Sequence, residues 1–401
     1  MRGRFENKMY FIKHVSRVSA LSFVTNVVQA KFYSSLAVSS RATTRLVLVS
    51  RSNSIYDNLA LEEWMYENTD FSDTDYLLMW RNRPAVVFGR HQNPWLEANI
   101  PLAYMDNVDI ARRSSGGGTV YHDEGNLNLS FLKSRNRYNR KENLHLVVDS
   151  IKSKWNLDLE VNARDDIVLD QFYKVSGTAA KLGRVQSYHH FTLLLAVDTS
   201  QLWKLLDSPM QGVNSRATKS VPASIKNLEE KIPDLKYEIL VDLIGHRFLQ
   251  EVGAQTSPTH LRYVDPLNET EFPGVLDIRK RLQSWDWIYG KTPKFSLCRT
   301  FTGHDFEGVI CTLKVNIEIE KGNVVLMTVH LDHQKLVDLI AMINKFYCEI
   351  VGNLKLNRKC LSDLERSSRE HFKTIISIDR LEVMSVVEWV IRSVDLCYRF
   401  V

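Results

Sequence analysis

The stretch Arg112–Asn126, RRSSGGGTVYHDEGN, decides how the rest of the chain is read. Two arginines, two serines and three consecutive glycines run directly into Thr119–Phe131, whose alternation of apolar and polar residues predicts one β-strand. Gly116, Gly117 and Gly118 lose more backbone entropy on folding than an ordinary turn requires, which implies a close approach to their backbone or a positive φ. Successive N–H groups in such a turn form an anion nest, and Arg112 or Arg113 can add a guanidinium fork for carboxylate or phosphate. No GK[ST] follows, so the loop is not a Walker A, and its spacing is not the Rossmann GxGxxG. The residues alone leave open a structural hairpin as well as a ligand loop.

On the N-terminal side, Thr43–Ser50 reads as a strand. Ser54 and Asp57 have capping-box spacing at the head of a helix marked by Ile55, Leu59, Glu62 and Tyr66. Tyr76–Trp80 and Ala85–Gly89 follow as strands. On the C-terminal side the pattern predicts a helix over Leu144–Trp155, a strand–turn–strand unit from Asp166 to Gly183, a strand over His189–Val197, a loop at Val221–Leu228 and a helix over Asp234–Val252. Between Gly253 and Lys280 the composition shifts to Pro, Thr, Asn and Gly. Beyond it come strands over Ser296–Phe301 and Val309–Leu331, the latter turning at Lys321–Asn323, and helical patterns over Gln334–Tyr347 and Leu381–Val394. The expected organisation is an α/β domain over residues 46–255, a linker over 256–280 and a smaller C-terminal α+β domain over 281–401.

With 401 residues, 44% of them hydrophobic, the chain has ample material for two buried cores. The net charge of +5 invites a nucleic-acid reading, but residues 1–45 hold eight Lys/Arg against the single acid Glu6, and without that +7 the remaining body carries −2. Nucleic-acid binding is therefore not expected. The basic, Ser-rich, acid-poor leader lacks a charge-free run long enough for a membrane span and fits a mitochondrial transit peptide over residues 1–40, which implies the matrix. All five cysteines lie beyond residue 297, without CxxC spacing, which argues for reduced thiols and against a zinc site.

The longer stretch Arg112–Phe131, RRSSGGGTVYHDEGNLNLSF, resembles the signature of the lipoate-protein ligase and lipoyltransferase family, which shares its fold with biotin-protein ligases. Three further stretches match in the family's order: GRHQNPW (Gly89–Trp95), KVSGTAAKLGR (Lys174–Arg184) with YHHFTLL (Tyr188–Leu194) behind it, and SWDWIYGKTPKF (Ser284–Phe295). The similarity covers everything after the leader and is close to the mitochondrial lipoyltransferase branch. It implies a mixed-sheet catalytic domain of the biotin/lipoate-protein ligase type and an enzyme that moves a lipoyl group to a specific lysine of lipoyl domains. The implied acceptors are the E2 subunits of 2-oxo acid dehydrogenases and the glycine-cleavage H protein. The implied donor is lipoyl-AMP or a lipoylated H protein, with no tightly bound cofactor, Mg2+ only if adenylation is retained, and a monomeric chain.

By the same resemblance, Arg113, Ser115, Gly116, Gly117 and Gly118 bind lipoyl-AMP, Asn126 helps hold its acyl-phosphate, and Lys174 contacts the ester carbonyl and phosphate as the catalytic residue. Asp166 matches an aspartate that in ligases attends the metal or nucleotide. Two departures, Arg164-Asp165-Asp166 in place of an Asn-Asp pair and Phe191 where a glycine is usual, leave transfer in place and count against full activation by ATP. The chemistry agrees: amide formation from an acyl-adenylate needs donors for the carbonyl and the departing phosphate, and no protein nucleophile. Lipoyl is a dithiolane on an apolar chain, so the pocket must join an apolar tunnel to a polar mouth. Val87, Phe88 and the strands around Val120 and Leu127 can supply the tunnel, and Thr178 and His190 are candidate wall residues. His91 and Trp95 can line it or simply pack. His189 and His190 alternate along a strand, so only one of them faces the cleft. The other readings are a complete ligase acting on ATP and lipoate, and a lipoyl-domain-binding protein without chemistry.

Overall fold

Asn126–Ser134 is buried at eight of its nine residues, which places it in the interior of a sheet rather than at an edge. The computed structural model describes residues 43–250, 260–304, 308–352, 354–376 and 381–398; the expected transit peptide lies outside the described residues. The first part of the chain runs β1 (Thr44–Ser50), α1 (Ile55–Asn68), β2 (Thr74–Trp80), β3 (Ala85–Phe88), α2 (Pro94–Glu97), α3 (Ile100–Met105), β4 (Asp109–Arg112), β5 (Val120–His122) and β6 (Asn126–Ser134). It continues with α4 (Arg140–Lys154), β7 (Leu159–Val161), β8 (Ile167–Leu169), β9 (Tyr173–Lys174), β10 (Ser176–Leu182), β11 (Gln186–Leu194), α5 (Thr199–Leu205), β12 (Val213–Ser215) and α6 (Tyr237–Gln250). After it come β13 (Arg262–Val264), α7 (Val275–Gln283), α8 (Trp285–Ile288), β14 (Phe295–His304), β15 (Ile310–Glu320), β16 (Asn323–Leu331), α9 (Val337–Ile350), β17 (Leu354–Lys355), α10 (Arg358–Ile375) and α11 (Leu381–Tyr398).

The main sheet has the order β10-β11-β6-β2-β1-β13. β1 pairs in parallel with β2 and β13 while the other pairs are antiparallel, so the sheet is mixed, as expected. Side chains alternate across it. Val47, Val49, Leu77, Met79, Leu129 and Phe131 pack on α4 and α6, whereas Leu48, Leu78, Trp80 and Leu132 pack toward α1, α7 and the small sheet β4-β3-β5. A third small sheet, β7-β8-β9, carries Lys174 at its edge.

The C-terminal part is an antiparallel sheet, β12-β14-β15-β16-β17, with α9, α10 and α11 in the same core. Its turn at Lys321 and Gly322 has both residues at positive φ, 51° and 73°, as a tight hairpin demands. Trp95 stacks 5.2 Å from Tyr289 and 5.5 Å from Phe295, so the C-terminal core is continuous with the part of the first half below the Gly loop. The stretch expected as a linker carries β13, which completes the main sheet, and the start of α7, whose Val275, Ile278 and Leu282 pack on α1.

Two local expectations are corrected. Thr119–Phe131 is not one strand: it breaks at Asp123–Gly125, and β5 and β6 join different sheets. Gly125 permits the break, because a Cβ there would lie 2.1 Å from the Ala196 carbonyl oxygen. The capping box at Ser54 does not form; Ser54 Oγ is buried without a partner, and Asp57 instead accepts from Ser52 Oγ at 2.8 Å and Arg279 Nε at 2.6 Å. The helix α10 lies outside the expected helical patterns, although Leu361, Leu364, Ser368 and Phe372 share one buried face.

Candidate active site

The Gly loop leaves β4 and is held from inside by Arg113. That buried guanidinium donates from Nη2 to the carbonyls of Gly116 at 2.6 Å and Gly118 at 2.7 Å, from Nη1 to Val87 O at 3.0 Å and from Nε to Ser115 Oγ at 3.0 Å. Burial lowers its pKa to about 10, so it remains a cation at neutral pH. With the carbonyls turned inward, the N–H groups of Gly116, Gly117 and Gly118 bond to nothing among the described residues, leaving three adjacent donors for an anion. Of the three, Gly117 alone has positive φ, 87°. The close approach is to a fourth glycine: a Cβ on Gly89 would lie 2.1 Å from Gly117 O.

Arg112 does not reach the ligand side. It is fully buried and spends its donors on Ile288 O (2.7 Å), Gly89 O (3.1 Å), Arg90 O (3.0 Å), Gln92 O (2.9 Å) and Thr292 Oγ1 (3.0 Å). Trp287 Nε1 donates back to the Arg112 carbonyl at 2.7 Å. The SWDWIYGKT segment is therefore bolted to the strand that carries the loop.

Beside the loop opens a cleft of about 410 Å³. Leu59, Trp80, Val87 and Val120 make its walls apolar, and Asp166, Lys174, Arg140, Arg164 and Thr178 make it polar. Lys174 Nζ lies 2.8 Å from Asp166 Oδ1. The backbone of Lys174 is fixed on both sides, by β8 and by Ser224 O and Lys226 N at 2.9 and 3.2 Å. A second, largely apolar cavity of about 530 Å³ lies on the other side of Lys174 and Gly177, walled by Leu194, Leu202, Trp203, Pro222 and Ile225. Ser220 borders both cavities; its hydroxyl bonds the Glu97 carboxylate and accepts Thr119 N at 2.8 Å, which straps the 213–227 loop to α2 and the Gly loop.

Val87, Thr178, His190, Arg113, Gly117, Gly118, Asp166 and Lys174 meet in the cleft. Ser115 lies just behind it, 1% exposed, with its Oγ 2.8 Å from His190 Nε2. His190 Nδ1 in turn faces Glu62 Oε1 at 2.8 Å. The set looks like a serine–histidine–carboxylate triad, but Ser115 is enclosed and its oxygen already accepts from Arg113, so it braces the loop and presents no nucleophile. Asn126 is fully buried and donates to Tyr121 O at 3.3 Å, holding the β5–β6 turn; Asn128 lines the cleft in its place. His91 is exposed and outside the cleft, and Trp95 is core.

One wall residue escaped the sequence reading. His122 is 5% exposed, and Asn82 Nδ2, whose own Oδ1 accepts from Asn58 at 2.8 Å, lies 2.9 Å from His122 Nδ1. The ring nitrogen therefore accepts, the proton sits on Nε2, and that N–H has no partner. Burial, then the charges of Arg113 and His190, push its pKa down to about 3. The signal was present: His122 falls two residues after Val120 on one strand and hence on the same face.

Asp165 and Asp166 each face a cation, Arg140 at 3.3 Å and Lys174 at 2.8 Å. Among the described residues no group of three or more His, Cys, Asp or Glu could hold a metal. The donor set does not fit a tightly held divalent ion.

A cleft that joins apolar walls to an ion-paired lysine and a glycine nest suits an apolar chain with an anionic end. Residues 54–252 match the family described as the lipoyl protein ligase A/B catalytic domain. Human mitochondrial lipoyl amidotransferase LIPT1 is 43% identical over 280 residues, covering 70% of this chain and 74% of its own. The protein of that name from Mus musculus is 40% identical over 283 residues, covering 70% and 75%. The crystal structure of P. falciparum LipL1 in complex with lipoate shares the fold, with a TM-score of 0.52 at 24% identity over 87% of this chain and 99% of that one. The chain belongs to the lipoyl protein ligase A/B family.

Proposed function

We propose that the chain is a mitochondrial lipoyltransferase that carries a lipoyl group from lipoyl-AMP or a lipoylated H protein to the ε-amine of one lysine on lipoyl domains, and the cleft geometry bears on lipoyl-AMP as the donor. The observation that carries this reading is the meeting, at Lys174, of a cleft with apolar walls, the unclaimed N–H groups of Gly117 and Gly118, and a second, largely apolar cavity of nucleoside size. The lipoyl chain lies along Val87 and Val120, its phosphate on the Gly loop, and its adenosine beyond Lys174. The acceptor nitrogen attacks the acyl carbon; the new C–N bond forms as the C–O bond to phosphate breaks, AMP leaves with the electron pair, and the nitrogen loses its proton to solvent. Lys174, held by Asp166, meets the charge that develops on the carbonyl and phosphate oxygens, a service that preorganised donors perform without reorganisation. No step runs through a metal.

The acceptors are the E2 subunits of 2-oxo acid dehydrogenases and the glycine-cleavage H protein, and the chain acts as a monomer in the matrix after removal of residues 1–40. Residues 46–255 carry catalysis and 281–401 support the loop. Among the described residues no helix is long and apolar enough to cross a membrane. The nucleoside-sized cavity also favours a second reading, a full ligase that makes lipoyl-AMP itself, with Mg2+ entering alongside ATP.

The test is a side-by-side assay of the mature chain with apo H protein and apo E2 domain. Lipoyl-AMP, lipoylated H protein, or lipoate with ATP and Mg2+ is supplied as donor. Modified acceptor from lipoyl-AMP, without pyrophosphate release from ATP and lipoate, supports transfer; pyrophosphate release with modification establishes the ligase; no product with any donor overturns both.

A further inference from the structure

A buried line of hydrogen bonds ends at the cleft, and its direction can be read from one end. Lys133, 6% exposed, donates from Nζ to Asn143 Oδ1 at 3.3 Å. An ammonium can only donate, so Asn143 turns its oxygen to the lysine and its NH2 to His189. Asn143 Nδ2 lies 3.2 Å from His189 Nδ1, which must accept. Burial first, and then the charges of Arg140, His190 and Lys133, keep the His189 ring neutral, so its one proton sits on Nε2. Nε2–H therefore donates to Thr178 Oγ1, 2.6 Å away. The threonine's own hydrogen has no acceptor among the described residues, and Thr178 lines the cleft.

The strand register places this arrangement. Thr178 is opposite Phe191 and Ala180 is opposite His189, so Thr178 and His189 share one face of the β10–β11 hairpin, while Ala179 and His190 share the other. β10 is the edge of the main sheet, and the cleft takes wall residues from both of its faces. His190 braces the Gly loop through Ser115, and His189, its chain neighbour, holds Thr178.

We propose that the Thr178 hydroxyl touches the substrate, donating its hydrogen to an oxygen of the acyl-phosphate group that Lys174 also meets, and that Lys133, Asn143 and His189 aim it. This rests on the lipoyl-AMP reading above. Thr178 is then a second donor for charge growing in the transition state, and His189 and Asn143 are positioning residues.

The experiment measures transfer from lipoyl-AMP to an apo lipoyl domain by the full chain, with Lys174→Ala run beside each variant. Thr178→Val keeps the shape and removes the hydroxyl; its kcat should fall by about a hundredfold with little change in KM. Thr178→Ser should restore most of the rate. Asn143→Asp supplies a carboxylate that accepts Nδ1–H, so Nε2 becomes an acceptor and draws the Thr178 hydrogen away from the cleft. That variant should slow like Thr178→Val although Thr178 is untouched, the double variant should be no slower than either single, and the His189 proton should move from Nε2 to Nδ1 in its 15N NMR signals. A wild-type rate for Thr178→Val beside a slow Lys174→Ala overturns the inference alone, as do additive losses in the double variant. A wild-type chain that transfers nothing from lipoyl-AMP overturns the reading and the inference together.

Discussion

Lys174 and Arg113 are both cations in the cleft, yet they do different work. Arg113 spends four of its donor contacts on Gly116 O, Gly118 O, Val87 O and Ser115 Oγ, so it shapes the loop. Lys174 has one ion-pair partner, Asp166, and side-chain exposure of 27%, which leaves ammonium hydrogens for a ligand. Lys174→Ala should accordingly lower transfer from lipoyl-AMP by about a hundredfold while the melting temperature changes little, as kinetics and calorimetry on one preparation can check. Arg113→Met should do both kinds of damage: the inward-facing carbonyls lose their donors, at about 1–3 kcal/mol for each buried group left unpaired, and activity falls with the fold. A stable, active Arg113→Met would show that the loop holds its own shape.

At the scale of elements, the close crossing of the β3 end and the Gly loop has no room for a side chain at Gly89. Gly89→Ala should push Gly117 aside, destabilise by about 1–3 kcal/mol in chemical unfolding and slow transfer more than it weakens the fold. The motif-bearing elements were legible because their residue types answer to local chemistry: the mixed sheet stands as the resemblance implied, and Gly117, Gly118, Asp166 and Lys174 line one cleft. What stayed hidden depends on partners far away in the chain. His122 takes its tautomer from Asn82, and the break between β5 and β6 is licensed by Ala196, which approaches Gly125 from the bend after β11. Apolar alternation runs on across that break, so a period-2 pattern cannot reveal it. Helix α10 is different: it buries Leu361, Leu364, Ser368 and Phe372 along one face, a helical spacing that the sequence itself carries.

For the molecule as a whole, two neutral buried histidines set an acid limit. His122, pushed down to about 3, and His189, well below the usual imidazole range, stay unprotonated in the fold, chiefly through burial. The unfolded chain binds a proton at each near pH 6.5, so between that pH and the folded values the unfolded state holds more protons and stability rises with pH. Their contribution is complete above about pH 6.5 and is lost as pH falls, by up to about 1.4 kcal/mol per unit for each histidine. Urea unfolding at several pH values should show this slope, shallower in His122→Gln; equal slopes would mean that His122 titrates normally. The Arg112 attachment carries a last consequence. Because Ile288 and Thr292 supply acceptors to a buried cation beside the Gly loop, a message ending before codon 284 would encode a chain whose core charge is stranded, even though every cleft residue has been translated. Late stop alleles should therefore behave as nulls through misfolding and degradation, not as producers of a slow but soluble half-enzyme.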